Sequence, residues 1–517
     1  MRQVALAILL AAVVASGLHW GSFVAGGSDS YCYLHQAQRW ASGRLQVPEP
    51  LALEAPWPDA PLTFAPAGHR PSPTVPGAIV PICPAGLSIV MAAFMVTGGV
   101  RAAFLVVPLF GALLIWATFG VGARFGPRIG LASAFAAACS PVFLYQLVQP
   151  MSDVLAAALW MLAVAAVTGT RRHGPTLGGL AAGAAILVRP NLFPLAIPLT
   201  MFMLWRSERA WTERLRGAAI FAACAAPGCA AVALIQGAYY GSAFSSGYGP
   251  FASLFSVDHV APNALRYVSW LSQAHTPMWM LAAAAPFLLQ GALTRLFIAL
   301  FLMNLACYLP YVVFDDWSYL RFLLPTIPLL VILLIASIDA VCRRLAQRPF
   351  DFARSVPGTG RVTTARLAVT LAAIVLAVVW VREAGERQAF RLQTLEARFE
   401  RAGAFVNHRL PANAMVITSW QSGSVRFYSG RRTLSWDALD PAWLDRAIDY
   451  LRARGFEPFL LFETWEEPLF RRRFASSRIG ALDWPPAAEV ASQVRVYRPY
   501  DRDRYVLGIQ GPTEYVR

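Results

Sequence analysis

Windows of about twenty apolar residues recur along the first 380 positions of this 517-residue chain, and they narrow the fold more than any other feature. A stretch of that length matches the hydrocarbon thickness of a bilayer when it is helical, and a helix satisfies all its own backbone hydrogen bonds there. The chain is 57% hydrophobic and only 14% charged, with mean hydropathy +0.48, more apolar matter than a soluble core of this size holds. The sequence therefore predicts a polytopic α-helical membrane protein.

Charge gives the orientation. The formal net charge of +15 comes entirely from arginine, since the chain has no lysine. The arginines cluster in short loops between apolar segments, for example Arg124 and Arg128, Arg171 and Arg172, and Arg206, Arg209, Arg214 and Arg216. That asymmetry is the positive-inside pattern and argues against a nucleic-acid surface. With the N-terminus in the cytoplasm, it predicts about eleven spans near 4–24, 102–122, 129–147, 154–168, 177–188, 192–205, 217–239, 277–293, 296–313, 320–341 and 367–381. The apolar stretch 84–97 is set aside as a short juxtamembrane helix. The Pro-rich loop 26–81 and the loop 239–267 are expected outside.

From about residue 383 the composition turns soluble. AMVITS at 414–419, PFLLFE at 458–463 and 494–497 read as strands, and Asp440-Pro441 as the cap and first turn of a helix to about Arg454. Alternating strands and helices predict a small α/β domain on the outer face, 383–517, behind a membrane domain, 1–382. The seven cysteines form no CxxC and no metal spacing. Cys32 and Cys83 fall together in the first outer region, where two free thiols are the first expectation and a disulfide the alternative.

On this topology Asp29, Asp153, Arg189, Asp315, Asp316 and Arg321, with His69 and Arg70, reach one membrane surface. A single acid or arginine at a helix end can serve only as a cap or an anchor. Together these residues suit another chemistry. A carboxylate takes the proton of an attacking hydroxyl, and a guanidinium holds a departing phosphate.

Five stretches, in this order, carry a resemblance. Asp29-Ser30-Tyr31 opens an amphipathic helix closing at Gly43; Cys83-Pro84-Ala85-Gly86-Leu87 forms a turn before a helix. Ser140-Pro141 precedes Ser152-Asp153, which opens the next helix. A Gly-rich helix from Gly178 ends in Arg189-Pro190, and Arg321-Phe322-Leu323-Leu324-Pro325 begins another. In order and sidedness they resemble the GT-C superfamily of membrane glycosyltransferases, especially the protein O-mannosyltransferases and the lipid A aminoarabinose transferases, over about residues 1–345. Many relatives carry a Glu after the first acid; here Ser30 stands there, so the base role passes to Asp29 alone.

The resemblance implies inverting transfer of a hexose or pentose from a polyprenyl-phosphate sugar to a lipid, glycan or protein acceptor, outside the plasma (inner) membrane. Asp29 would be the base and Asp153 its catalytic support. Arg321, then Arg189 and Arg70, with His69 and Tyr31, would bind substrate and phosphate. No cofactor is expected, and a divalent metal is compatible but not demanded. The competing readings are a lipid-linked sugar transporter or flippase, and a non-catalytic envelope protein.

Overall fold

The computed structural model describes residues 2–205, 210–347, 358–509 and 511–516. Arg206, Arg209 and the middle of the basic loop 342–366 lie outside the described residues. The chain folds into two compact units, each assembled from separated segments.

The first unit, residues 1–21, 104–234 and 249–392, is helical. The helix Ser152–Val167 is its centre, buried almost throughout. It packs between Val106–Gly122 and Gly174–Val188, and small side chains allow the close approach. A Cβ on Gly228 would stand 2.1 Å from the carbonyl oxygen of Gly183, so helices Gly174–Val188 and Trp211–Tyr240 meet backbone to backbone. Such small-residue seams replace the hydrophobic drive that is missing between helices in lipid.

Among the described residues four helices are long and apolar enough to cross a membrane: Arg2–His19, Ala85–Ala103, Trp211–Tyr240 and Leu367–Glu386. Two bent pairs raise this to six, Pro127–Ala138 with Pro141–Leu147 (60°) and Trp317–Leu323 with Ile327–Leu345 (83°). Both were expected to be continuous. Pro141, and Pro325 between the second pair, cannot donate the backbone bond a straight helix needs. Five apolar helices of 10–17 residues accompany them. The expected span 277–293 is instead three short pieces, Pro277–Trp279, Met280–Ala283 and Ala285–Leu288. The loop expected at 239–267 gives way from Val260 to a sixteen-residue amphipathic helix, Val260–His275. The helix set aside at 84–97 runs on to Ala103, with Gly98 and Gly99 out of helical geometry near its end.

The second unit gathers residues 22–103, 235–248 and 393–517. The stretch 26–81 forms the helix Asp29–Ser42, as expected, and a three-stranded antiparallel sheet that was not, of β1 (Val47–Pro48), β2 (His69–Pro71) and β3 (Ala78–Pro81), ordered β1-β3-β2. Cys32 and Cys83 form a disulfide, so the expected pair of free thiols is corrected. The helix and the chain after β3 bring the two residues side by side, a proximity invisible across 51 positions.

The second sheet has β4 (Ala414–Ile417), β5 (Arg432–Leu434), β6 (Glu457–Glu463), β7 (Ala488–Val490), β8 (Val494–Tyr497) and β9 (Glu514–Val516), ordered β5-β4-β6-β8-β7-β9. β4 is parallel to β5 and β6; β8 is antiparallel to β6 and β7. Side chains alternate across a strand, so β6 feeds two cores. Leu460 and Phe462 face one core, which takes in Leu51, Trp57 and Phe64 from the first loop. Phe459 and Leu461 face the other, with Phe405 and Val406 of the helix Leu392–Arg409. β6 is buried on both faces, which is why it reads as an unbroken apolar run. Asp440 caps its helix as expected, its Oδ1 accepting from the Ala442 N–H at 2.8 Å.

Candidate active site

The residues singled out in the sequence divide between the units. Asp29, Tyr31, His69 and Arg70 belong to the second, and Asp153, Arg189 and Arg321 to the first.

In the second unit a glycine pair sets the approach to Asp29. A Cβ on Gly26 would lie 2.5 Å from the Phe399 ring and 2.7 Å from a Glu396 carboxylate oxygen. Gly27 has φ +54°, where a side chain is strained. The chain turns there and enters the helix Asp29–Ser42, with Asp29 its first residue and half-buried. Gly43, in the left-handed conformation, ends the helix.

Several contacts hold this helix. The Cys32–Cys83 disulfide ties its first turn, and Ser88 donates to the Tyr33 carbonyl at 2.9 Å. Tyr31 is buried flat against Gly423, where a Cβ would stand 2.2 Å from the ring. Tyr31 also stacks on His35 at 5.2 Å and meets His69 at 5.1 Å. His35 Nδ1 and His69 Nε2 are 2.8 Å apart, so one ring must donate and the other accept. Burial disfavours the imidazolium, and Arg39 and Arg426 add repulsion; His35 is pushed down to about 3, and His69 well below the usual histidine range, with His35 itself contributing there. Burial raises the Tyr31 phenol to about 12. This is a neutral, packed cluster. Arg70 donates to the Ser246 and Gly247 carbonyls at 3.3 and 3.4 Å.

In the first unit the acid and the arginines do come together. Asp153 stands in the first turn of Ser152–Val167, its side chain fully buried. Arg189 ends Gly174–Val188 and reaches Asp153 Oδ1 at 2.7 Å, Ser152 Oγ at 3.2 Å and the Tyr308 hydroxyl oxygen at 3.0 Å. Its guanidinium lies 5.3 Å from the Phe322 ring centroid, and Tyr308 stacks on the same ring at 4.6 Å. Arg321, in the turn Trp317–Leu323, sits 5.1 Å from Tyr319 and 5.6 Å from Phe322. Two guanidinium groups therefore flank one aromatic ring, an arrangement suited to holding a phosphate. Asp315 pairs with Arg266, and Asp316 caps Ser318 at 2.8 Å, so both have local structural roles.

Sequence reasoning missed His35, Tyr308 and Arg426, and named Ser152 only as the residue before Asp153. The signal for His35 was its one-turn spacing from Tyr31; Tyr308 carried none, being one tyrosine in an apolar helix. Among the described residues no three of His, Cys, Asp or Glu are grouped to hold a metal ion.

This fold is similar to that of solved ArnT and oligosaccharyltransferase structures, in line with the resemblance read from the sequence. The sequence profile of the dolichyl-phosphate-mannose-protein mannosyltransferases matches residues 79–234. Among solved structures, ArnT from Cupriavidus metallidurans bound to undecaprenyl phosphate is similar over 98% of this chain and 99% of its own, with 12% identity and TM-score 0.57. The apo oligosaccharyltransferase of Archaeoglobus fulgidus is similar over 92% of this chain and 71% of its own, with 12% identity and TM-score 0.59. No curated protein sequence matches the chain.

Proposed function

We propose that the protein transfers a sugar from a polyprenyl-phosphate donor to an acceptor hydroxyl on the outer face of the plasma membrane. One observation carries the reading: Asp29, half-buried, opens a helix pinned by a disulfide, by Tyr31 packed on Gly423 and by Ser88. A base so held keeps its geometry without a reorganisation cost during reaction. The fold shared with an ArnT solved with undecaprenyl phosphate supports the donor class.

In this reading Asp29 accepts the proton of the acceptor hydroxyl as its oxygen attacks the anomeric carbon. The bond from that carbon to the phosphate oxygen breaks, and the polyprenyl phosphate leaves with the electron pair. Arg321 holds the leaving phosphate, with Arg189 and Arg70 contributing. Asp153 keeps Arg189 in place. Tyr31 and His69, packed together, support the Asp29 helix and the substrate beside it. Residues 1–382 form the multi-pass part with a cytoplasmic N-terminus, and 383–517 the extracytoplasmic domain.

The test uses purified full-length protein, radiolabelled polyprenyl-phosphate sugars and an envelope acceptor fraction. Label moves to the acceptor with the unmodified protein and not with Asp29→Asn. Equal transfer by a folded Asp29→Asn protein removes the base assignment.

A further inference from the structure

Three tryptophans packed around the second sheet are buried: Trp57, Trp436 and Trp484 are 3%, 5% and 3% exposed. Trp420 and Trp465 are not, at 38% and 52%. Their rings lie 6.1 Å apart at 75°, an open corner of two indole faces. Two adjacent exposed aromatic faces differ from the single apolar side chains scattered over an ordinary surface.

We propose that Trp420 and Trp465 form a stacking subsite for a carbohydrate acceptor, set against the turn that leads into Asp29. The proposal rests on the transferase reading and names the acceptor's chemical class. Its placement follows from Gly27. A Cβ there would stand 3.3 Å from the Trp420 ring, so this indole packs on the turn itself. Asp29 follows two residues on, at most about 7.6 Å along the chain.

The corner is built from behind. The Trp465 indole N–H donates to Glu463 Oε2 at 3.0 Å. The Trp420 backbone N–H donates to Glu466 Oε1 at 3.1 Å, and the Glu463 N–H to Glu466 Oε2 at 2.9 Å. Glu463 Oε1 also accepts from Arg398 at 2.8 Å and Gln421 at 2.9 Å. Buried carboxylates are costly, and these spend their bonding capacity holding two exposed rings in position.

The same network selects the ligand. A sugar ring presents C–H groups on its face, and such a face suits an indole. A cationic peptide would need unspent negative charge. Here Arg398 neutralises Glu463, and burial raises the Glu466 carboxyl to about 7. A membrane-belt tryptophan turns its N–H to the headgroups, whereas that of Trp465 turns inward to a buried carboxylate.

The experiment uses the full chain in lipid nanodiscs and reads binding separately from transfer. Saturation-transfer NMR is recorded with the methyl glycosides of glucose, mannose, galactose and N-acetylglucosamine, and with a Lys- and Ser-containing peptide. The expected result is signal on sugar ring protons that falls at least fivefold in Trp420→Ala and in Trp465→Ala. Trp465→Tyr recovers part of it. Equal sugar signal in both Trp variants overturns the proposal, as does binding of the peptide alone. Bromolipid quenching that disappears when both tryptophans become phenylalanine overturns it in favour of membrane contact. Trp-dependent sugar binding without any transfer would instead break the transferase reading and leave the subsite standing.

Discussion

The two units handle a carboxylate in opposite ways. In the helical unit Asp153 is sealed from water and matched to Arg189, its charge cancelled within 2.7 Å. In the mixed unit Asp29 keeps partial access to solvent at a helix opening, and the surroundings supply rigidity instead, through a disulfide, a stacked Tyr–His–His cluster and a glycine turn. At Asp153 the carboxylate itself is part of the architecture; at Asp29 the architecture lies in the helix, disulfide and turn beneath it. The contrast teaches that the candidate base is marked less by its own contacts than by how firmly the backbone beneath it is fixed.

Replacing each acid by its amide tests this most sharply. Asp29→Asn should lower transfer by about 100-fold or more while leaving thermal unfolding unchanged. Asp153→Ala should instead destabilise the protein by roughly 3–5 kcal/mol, because Arg189 is left buried without its partner. The double variant Asp153→Leu/Arg189→Met should recover much of that stability by denaturant unfolding while losing phosphate affinity. If Asp29→Asn unfolds the protein and Asp153→Ala does not, the contrast is reversed.

Removing the cross-link probes the support alone. Cys32→Ser/Cys83→Ser should cost about 2–4 kcal/mol of stability. Transfer should fall with kcat more affected than the donor KM, since the base would lose its placement rather than the phosphate its ligands.

The smallest effect expected is on pH dependence. His35 titrates lower in the folded protein than its ordinary 6.5, so below pH 6.5 the unfolded chain binds more protons, and stability falls as pH drops toward 3. Glu466 titrates higher, at about 7 against 4.5, so its contribution is full below 4.5 and is lost as pH rises through 7. His35→Asn should flatten the acid limb of a melting-temperature profile and Glu466→Gln the neutral limb. A wild-type profile that is flat on both sides would show neither group to be held as described.

Much of this was legible in the sequence. The apolar windows announced helices, Gly43 the end of the Asp29 helix, and the run PFLLFE a strand buried on both faces. Asp153 and Arg189 were both visible as helix-end charges, though their pairing was not. What stayed hidden was long-range. Leu51, Trp57 and Phe64 look like loop residues until β4 and β6 supply the other half of their core. Arg426 reads as an ordinary helix cation. It donates to Glu49 at 2.9 Å and to the Phe64 carbonyl at 2.7 Å, fastening the first loop to the last sheet. The stretch 277–293 was misread because hydropathy measures composition and does not see where short helices break at proline.

The cross-link also has a place in time. Cys32 and Cys83 both leave the ribosome before residue 104, whereas the sheet that completes the same unit begins only at Ala414. At about 5–20 residues per second, tens of seconds separate the two events. During that interval the early segment must keep the apolar faces of Leu51, Trp57 and Phe64 waiting for partners that are not yet made. A covalent tie closed early would preserve the shape onto which the late strands assemble, so the bond would serve the nascent chain as a jig before it serves the finished protein as a brace.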